Sequence, residues 1–73
     1  MTIDTYVKFS CMPMKGRIKW TSEKLINRGY LLDDGTDHTK RTKQFVKALT
    51  KFQKDNGLGA NGEVHEKEFT LLL

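Results

Sequence analysis

Apolar residues recur at steps of three and four along three stretches of the chain, which is the spacing of one face of an amphipathic helix. The clearest stretch covers residues 40–55, with Thr39 or Thr42 as candidate N-caps. Its apolar positions are Phe45, Val46, Ala48, Leu49 and Phe52. This pattern predicts a long amphipathic helix.

A thinner stripe predicts a second helix over residues 17–28. Its inward positions are Ile18, Thr21, Ser22, Leu25 and Ile26. Gly29 follows at the point where a residue with positive φ ends a helix with least strain. Tyr30, Leu31 and Leu32 are expected to fold back onto the core, before a turn at Asp34 and Gly35.

A short last helix is predicted from about residue 65 to residue 72, with Phe69, Leu72 and Leu73 turned inward. The segment NGLGANG, residues 56–62, separates it from the preceding helix. A phosphate-binding loop has its glycines leading into a helix, whereas Gly57 follows one, and no GxGxxG or GKS/T pattern is present. The glycines are therefore interpreted as a helix stop and a turn.

Residues 3–11 alternate between apolar and polar side chains instead. Ile3, Val7, Phe9 and Cys11 share one parity, and this period of two predicts a half-buried strand that ends at Pro13. Because the rest of the chain is helical, the strand has no internal partner and is expected to be an arm or to pair, over residues 5–11, with a partner protein. The predicted fold class is all-α, a compact three-helix bundle over residues 17–73 with an extended or β N-terminal arm over residues 1–16.

The segment ALTKFQKDNGLGANGEV, residues 48–64, resembles the repeat of the peptidoglycan-binding-like domain family, A-[VL]-x-x-F-Q-x-x-x-G-L-x-x-[DN]-G-x-V followed by a short helix ending in Leu. The matching residues are Ala48, Leu49, Phe52, Gln53, Gly57, Leu58, Asn61, Gly62, Val64 and Leu72. A weaker copy of the theme, V-x-x-L-Q-x-x-L-x-x-L-G-Y-L, is matched by Ile18, Leu25, Gly29, Tyr30 and Leu31. The resemblance covers residues 18–72 and implies a three-helix fold and a cell-wall polymer as ligand.

The first half departs from that family pattern. Thr21, Ser22 and Arg28 replace the usual Leu, Gln and Leu. The segment DHTKRTKQF replaces the D-G-x-F-G-x-x-T turn before the central helix. The shared residues are mainly glycines and core positions, so they support the fold more than the ligand.

The composition fits one small globular domain, with 73 residues of which 37% are apolar and 30% charged. No apolar run approaches a membrane span, and the N-terminal residues lack the pattern of a signal peptide. A cell-envelope or extracellular location is therefore expected only as part of an exported parent protein. The net charge is +4, with six basic and two acidic residues in residues 1–30 against seven of each in residues 31–73. The basic excess suits an anionic partner or a solvated face.

The chain lacks the residue groupings that catalysis or metal binding requires. His38 and His65 have no partner at HxxxH or CxxC spacing, and the acidic loop at residues 33–37 lacks the ligand order of an EF-hand. No Ser-His-Asp grouping or facing carboxylate pair is evident, and Cys11 is the single cysteine. We therefore predict a protein that is not an enzyme and that uses no metal or cofactor.

The predicted ligand-binding residues are Tyr30, Trp20, Asn56, Asn61 and Arg28. Trp20 lies off the apolar stripe of its helix, so it is expected either to stack on a sugar ring or to pack against the N-terminal arm at Val7 and Phe9. Tyr30, Asn56 and Asn61, with nearby Lys and Arg residues, are expected to line a shallow groove for glycan or peptide stem.

Three functions fit these features. The first is a non-catalytic module that binds peptidoglycan or another anionic cell-wall polymer and anchors or targets a larger protein. The second is a structural or protein-interaction module of the same fold that has lost glycan binding. The third is a small basic nucleic-acid-binding protein, disfavoured because no helix-turn-helix or aromatic platform accompanies KGRIKW and HTKRTK.

Overall fold

The computed structural model describes residues 3–33, 35 and 37–73. These residues form four helices and no strand: α1 (Ile3–Ser10), α2 (Met14–Asn27), α3 (Lys43–Asp55) and α4 (Glu66–Leu72). α2 packs against both α3 and α4, and α1 packs against α4. The three helices predicted from periodicity are α2, α3 and α4, so the all-α bundle is confirmed. No helix in the described ranges is long and apolar enough to cross a membrane.

α3 contributes the centre of the core. The core is built from buried side chains of α2, the loop after α2, α3 and α4. These are Ile18, Leu25, Leu31, Phe45, Ala48, Leu49, Phe52 and Leu72. The start of α3 is fixed by Thr42, whose side-chain oxygen accepts a hydrogen bond from Phe45 N at 3.1 Å. Of the two candidate caps, Thr42 is therefore the one used.

The N-terminal arm is a helix, so the prediction of an extended or β arm is wrong. α1 places Phe9 in a cluster of rings, with centroid distances of 5.0 Å to Trp20 and 4.7 Å to Phe69. Tyr6, one turn earlier, lies 5.7 Å from Phe69. These contacts need the i and i+3 side chains on one face, which a helix provides and a strand does not. The idea that residues 5–11 add a strand to a partner's sheet loses its basis.

The glycines end the helices as predicted. Gly29 has φ +82° and Gly57 has φ +71°, and both follow the last turn of a helix. After Gly57, Leu58 N donates to Gln53 O at 2.8 Å, which closes the end of α3. α2 begins at Met14, three residues earlier than predicted, because Pro13 with φ −56° already leads into its first turn.

Two apolar residues predicted to be inward lie at the surface. Leu32 is 79% exposed and Leu73 is 49% exposed, so these two predictions are wrong. Leu31 and Leu72, their chain neighbours, are buried and already fill the core at those points. In the predicted Asp34–Gly35 turn, Gly35 has φ +87°, while Asp34 lies outside the described residues.

Candidate functional site

A shallow groove of about 240 Å³ lies between the loop after α2 and the exposed side of α3. We call it the Tyr30 groove. Its lining residues are Tyr30, Leu31, Leu32, His38, Thr42, Gln44, Lys47, Ala48 and Lys51. The groove thus combines apolar side chains with two lysines on one wall.

The groove exists because the chain reverses at the end of α2. Tyr30 N and Leu31 N both donate to Leu25 O, at 2.9 and 3.4 Å, and Gly29 supplies the positive φ that this reversal needs. Leu31 then enters the core, and Leu32 is left facing solvent at the edge of the groove. Covering an exposed leucine with a ligand removes apolar surface from water, and this makes binding more favourable.

Tyr30 is held in one wall of the groove by a hydrogen bond and a ring contact. Its hydroxyl donates to Asp55 Oδ2 at 2.8 Å, and its ring meets the ring of Phe52 edge to face at 5.6 Å. The hydrogen bond to Asp55, then partial burial and the Asp55 charge, raise the pKa of Tyr30, while Arg28 opposes the shift. The hydroxyl is therefore protonated at neutral pH and keeps its lone pairs available to a ligand's donor.

We expect Asp55→Asn to lower the pKa of Tyr30, because it removes the charged acceptor that stabilises the protonated hydroxyl. The measurement is an alkaline titration of phenolate absorbance in a Tyr6→Phe background, which leaves Tyr30 as the only tyrosine. Asp37→Asn is the control, since Asp37 accepts from Thr39 rather than from Tyr30. An unchanged Tyr30 pKa in Asp55→Asn would show that the bond is not formed in solution.

The same bond links Tyr30 to stability at high pH. A raised folded-state pKa means that the bond stabilises the fold fully below the ordinary tyrosine pKa and that this contribution is lost as the pH rises through the folded pKa. The loss belongs to the alkaline range and leaves neutral pH unaffected.

The cationic wall of the groove consists of Lys47 and Lys51, one turn apart on α3 and both exposed. The ion pairs within the described part of the chain all involve His38 or His65, so these ammonium groups have no carboxylate partner there. A ligand that carries a carboxylate or phosphate beside an apolar face fits this pairing of lysines with leucines.

His38 adds a polar atom beneath the groove. Its Nε2 is buried without a hydrogen-bond partner, 3.5 Å from Asp33 Oδ1. Ser22 Oγ donates to His38 O at 3.5 Å and so ties this part of the loop to α2. Among the described residues no group of three or more His, Cys, Asp or Glu side chains is arranged to hold a metal ion.

Of the five predicted ligand-binding residues, the groove includes Tyr30 alone. Trp20 is half-buried in the aromatic cluster with Phe9 and Phe69, as in the alternative that packs it on the N-terminal segment. Val7, the other expected contact of Trp20, is 49% exposed. Trp20 therefore has a packing role on another part of the surface.

The three remaining residues make hydrogen bonds at helix ends and turns. Asn56 Nδ2 donates to Phe52 O at 2.8 Å, and Arg28 donates through one terminal guanidinium nitrogen to Leu71 O at 2.8 Å. Asn61 Oδ1 accepts from Gln53 Nε2 at 2.9 Å. A role of Asn56, Asn61 or Arg28 in ligand binding stays a prediction, and each has a structural role without it.

The pattern shared with peptidoglycan-binding-like domains forms one hydrogen-bonded unit in this chain. Gln53 Oε1 accepts from Gly62 N at 3.0 Å, and Gln53 Nε2 donates to Asn61 and to Glu63 O at 2.9 Å each. The Phe-Gln and Asn-Gly pairs of the pattern are thus joined across the loop between α3 and α4. The resemblance rests on these residues, since neither a family model, nor a curated protein, nor a solved structure matches this chain.

Proposed function

We propose that this chain is a non-catalytic module that binds the peptidoglycan of the cell wall and so anchors or targets a larger protein. The observation that carries the proposal is the Tyr30 groove, in which exposed Leu32 and hydrogen-bonded Tyr30 lie beside Lys47 and Lys51, whose ammonium groups have no carboxylate partner among the described residues. Peptidoglycan offers the complementary chemistry, because its sugar rings have apolar faces and its peptide stems carry carboxylates.

The size of the groove indicates the mode of binding. At about 240 Å³ it is smaller than the roughly 300–1,000 Å³ of pockets that enclose a drug-sized molecule. One sugar ring or one stem carboxylate fits, so a single contact is weak. Insoluble peptidoglycan presents such groups at high local density, and repeated rebinding or a second wall-binding domain in the parent protein supplies avidity.

The proposal is tested by co-sedimentation with insoluble peptidoglycan from which all phosphate-containing polymers have been removed. We expect the wild-type chain to sediment and the double variant Leu32→Ser/Lys51→Gln to bind several-fold less. The matched control is Leu71→Ser/Lys67→Gln, which removes one exposed leucine and one exposed lysine from α4, away from the groove. Retention should fall only partly with salt, because part of the contact is apolar.

Two results would contradict the proposal. One is a wild-type chain that stays in the supernatant at every salt concentration. The other is an equal loss of binding in the groove variant and the α4 control, which would assign the sedimentation to general surface charge and hydrophobicity.

A further inference from the structure

The basic residues of the second half of the chain are concentrated where no acidic residue lies. Residues 31–73 are neutral as a whole, yet residues 38–54 contain six Lys and Arg and no Asp or Glu. Four of them belong to α3: Lys43, Lys47, Lys51 and Lys54. With about 100° between successive residues, the four fall within roughly 80° of the helix circumference. We call this surface the α3 lysine row.

A shallow depression runs beside the α3 lysine row. Arg41, Thr42, Val46 and Thr50 line it together with all four lysines. Arg41 is fixed there, because it donates to Gly62 O at 2.7 Å. The surface therefore offers five cations to a ligand that lies along the helix, and no aromatic side chain is part of its lining.

The α3 lysine row is unfavourable for the helix itself. Lys43 and Lys47, and Lys47 and Lys51, are like charges four residues apart, and each such pair destabilises a helix slightly. Lys43 also lies in the first turn, where the helix macrodipole favours acidic side chains and α3 has none. No described carboxylate pairs with any of these lysines. The macrodipole favours Lys54, which lies in the last turn, but helix stability does not explain the spacing of Lys43, Lys47 and Lys51, whereas an anionic ligand does.

We propose that the α3 lysine row binds a linear phosphodiester polymer of the cell wall, of the poly(glycerol phosphate) type. The lysines rise along the helix by about 6, 6 and 4.5 Å, so they form a series over roughly 16 Å of the helix axis, within a band about 80° wide. A flexible chain with a negative charge in every repeat can place successive phosphates along such a series. The choice of a wall polymer rests on the proposed function.

The lining of this surface disfavours nucleic acid as the occupant. Single-stranded nucleic acid is bound through aromatic side chains on which its bases stack, and this depression has none. A duplex presents two phosphate strands, whereas the lysines form one row on one helix. The row offers cations and no stacking surface, so it suits a polymer that is recognised through its phosphates.

The test is a titration of soluble poly(glycerol phosphate) into the wild-type chain and into Lys43→Gln/Lys54→Gln, monitored by calorimetry. Neither Lys43 nor Lys54 lines the Tyr30 groove, so this variant leaves the proposed peptidoglycan site intact. The control is Lys8→Gln/Lys67→Gln, which removes the same charge from α1 and α4. A single-stranded oligonucleotide of matched charge is titrated in parallel.

We expect the row variant to bind the polymer about 10-fold or more weakly and the control to bind within about twofold of wild type. For a polyanion that behaves like a single strand, the slope of log K against log salt is about −0.7 per phosphate contact, so losing two lysines should make it shallower by about 1.4. The thermal midpoint of the row variant should not fall, because removing Lys43 relieves its repulsion with Lys47, and a midpoint that does not fall excludes unfolding as the cause.

The proposal is overturned if the wild-type chain does not bind poly(glycerol phosphate), if both double variants lose affinity equally, or if the oligonucleotide binds more tightly than the polymer. Its failure is distinct from that of the proposed function. Because Lys47 and Lys51 line both surfaces, the variants separate the two tests. Leu32→Ser/Lys51→Gln on phosphate-free peptidoglycan tests the Tyr30 groove, and Lys43→Gln/Lys54→Gln with the soluble polymer tests the lysines that lie outside that groove.

Discussion

Phe9→Ala is expected to destabilise the domain by about 3–4 kcal/mol, whereas Val7→Ala in the same helix is expected to change the free energy of unfolding by less than about 0.5 kcal/mol. Phe9 is 5% exposed and contacts the rings of both Trp20 and Phe69, while Val7 is 49% exposed. At roughly 0.05–0.15 kcal/mol per residue, a chain of this length has about 4–11 kcal/mol of stability in total. The loss at Phe9 is therefore a large part of the whole.

The measurement is urea denaturation followed by far-ultraviolet circular dichroism and by Trp20 fluorescence, which reports the aromatic cluster directly. The pair of variants also tests the secondary structure of the segment. A strand places positions 7 and 9 on one face, whereas a helix places them about 200° apart. Similar losses in both variants would contradict helix α1 and its docking on α4.

The apolar pattern predicted the wrong secondary structure for this segment, because its eight residues fit both the period of a strand and the period of a helix. Val7 and Phe9 alternate with polar residues, yet Tyr6 and Phe9 are also spaced as neighbours on a helix. The choice between the two is made by Trp20 and Phe69, which come from α2 and α4 and give α1 a surface to dock on. Such a partner is a tertiary feature that a short window of sequence does not contain.

The features that were predictable are those decided within a few residues. Thr42 caps α3, and Gly29 and Gly57 adopt positive φ at helix ends, because each of these is a local backbone requirement. Whether a residue just after a turn is buried or exposed is not decided by its local sequence. Leu31 and Leu32 are the same residue type in adjacent positions, and the path of the loop alone decides that one is buried and the other is 79% exposed.

Of the candidate site, the sequence predicted Tyr30 in a shallow groove with basic residues nearby, but it identified neither the exposed Leu32 nor the two lysines of the opposite wall. Lys47 and Lys51 read as the solvated face of an amphipathic helix until the loop that carries Tyr30 and Leu32 is placed beside them. The charges of residues 31–73 also sum to zero along the chain. On the surface, however, the lysines of α3 lie together on one face. A helical projection of residues 38–54 alone contains the signal for the α3 lysine row.

Gln53→Ala is expected to destabilise the domain by about 3–5 kcal/mol, more than the loss of its volume explains. Gln53 is fully buried. Its Oε1 accepts from Gly62 N, and its Nε2, which carries two hydrogens, has three acceptors within hydrogen-bond distance: Asn61 Oδ1, Glu63 O and, at 3.2 Å, Glu68 Oε2. Truncation leaves the buried Gly62 N–H without an acceptor and the buried Glu68 carboxylate with one donor fewer. Each such group costs about 1–3 kcal/mol.

The control is Gln44→Ala, which removes the other glutamine of α3, an exposed one, and should change the stability by less than about 0.5 kcal/mol. Gln53→Glu separates hydrogen bonding from packing, because it keeps the shape while replacing a donor by an acceptor that faces Glu68. Two carboxylates in contact disfavour the state in which both are ionised, so this variant should be less destabilised at acidic pH than at neutral pH. A Gln53→Glu protein as stable as wild type at neutral pH would show that the amide does not hold the loop between α3 and α4. The presence of both the Phe-Gln and the Asn-Gly pair in this chain would then not be explained by the hydrogen bonds that join them.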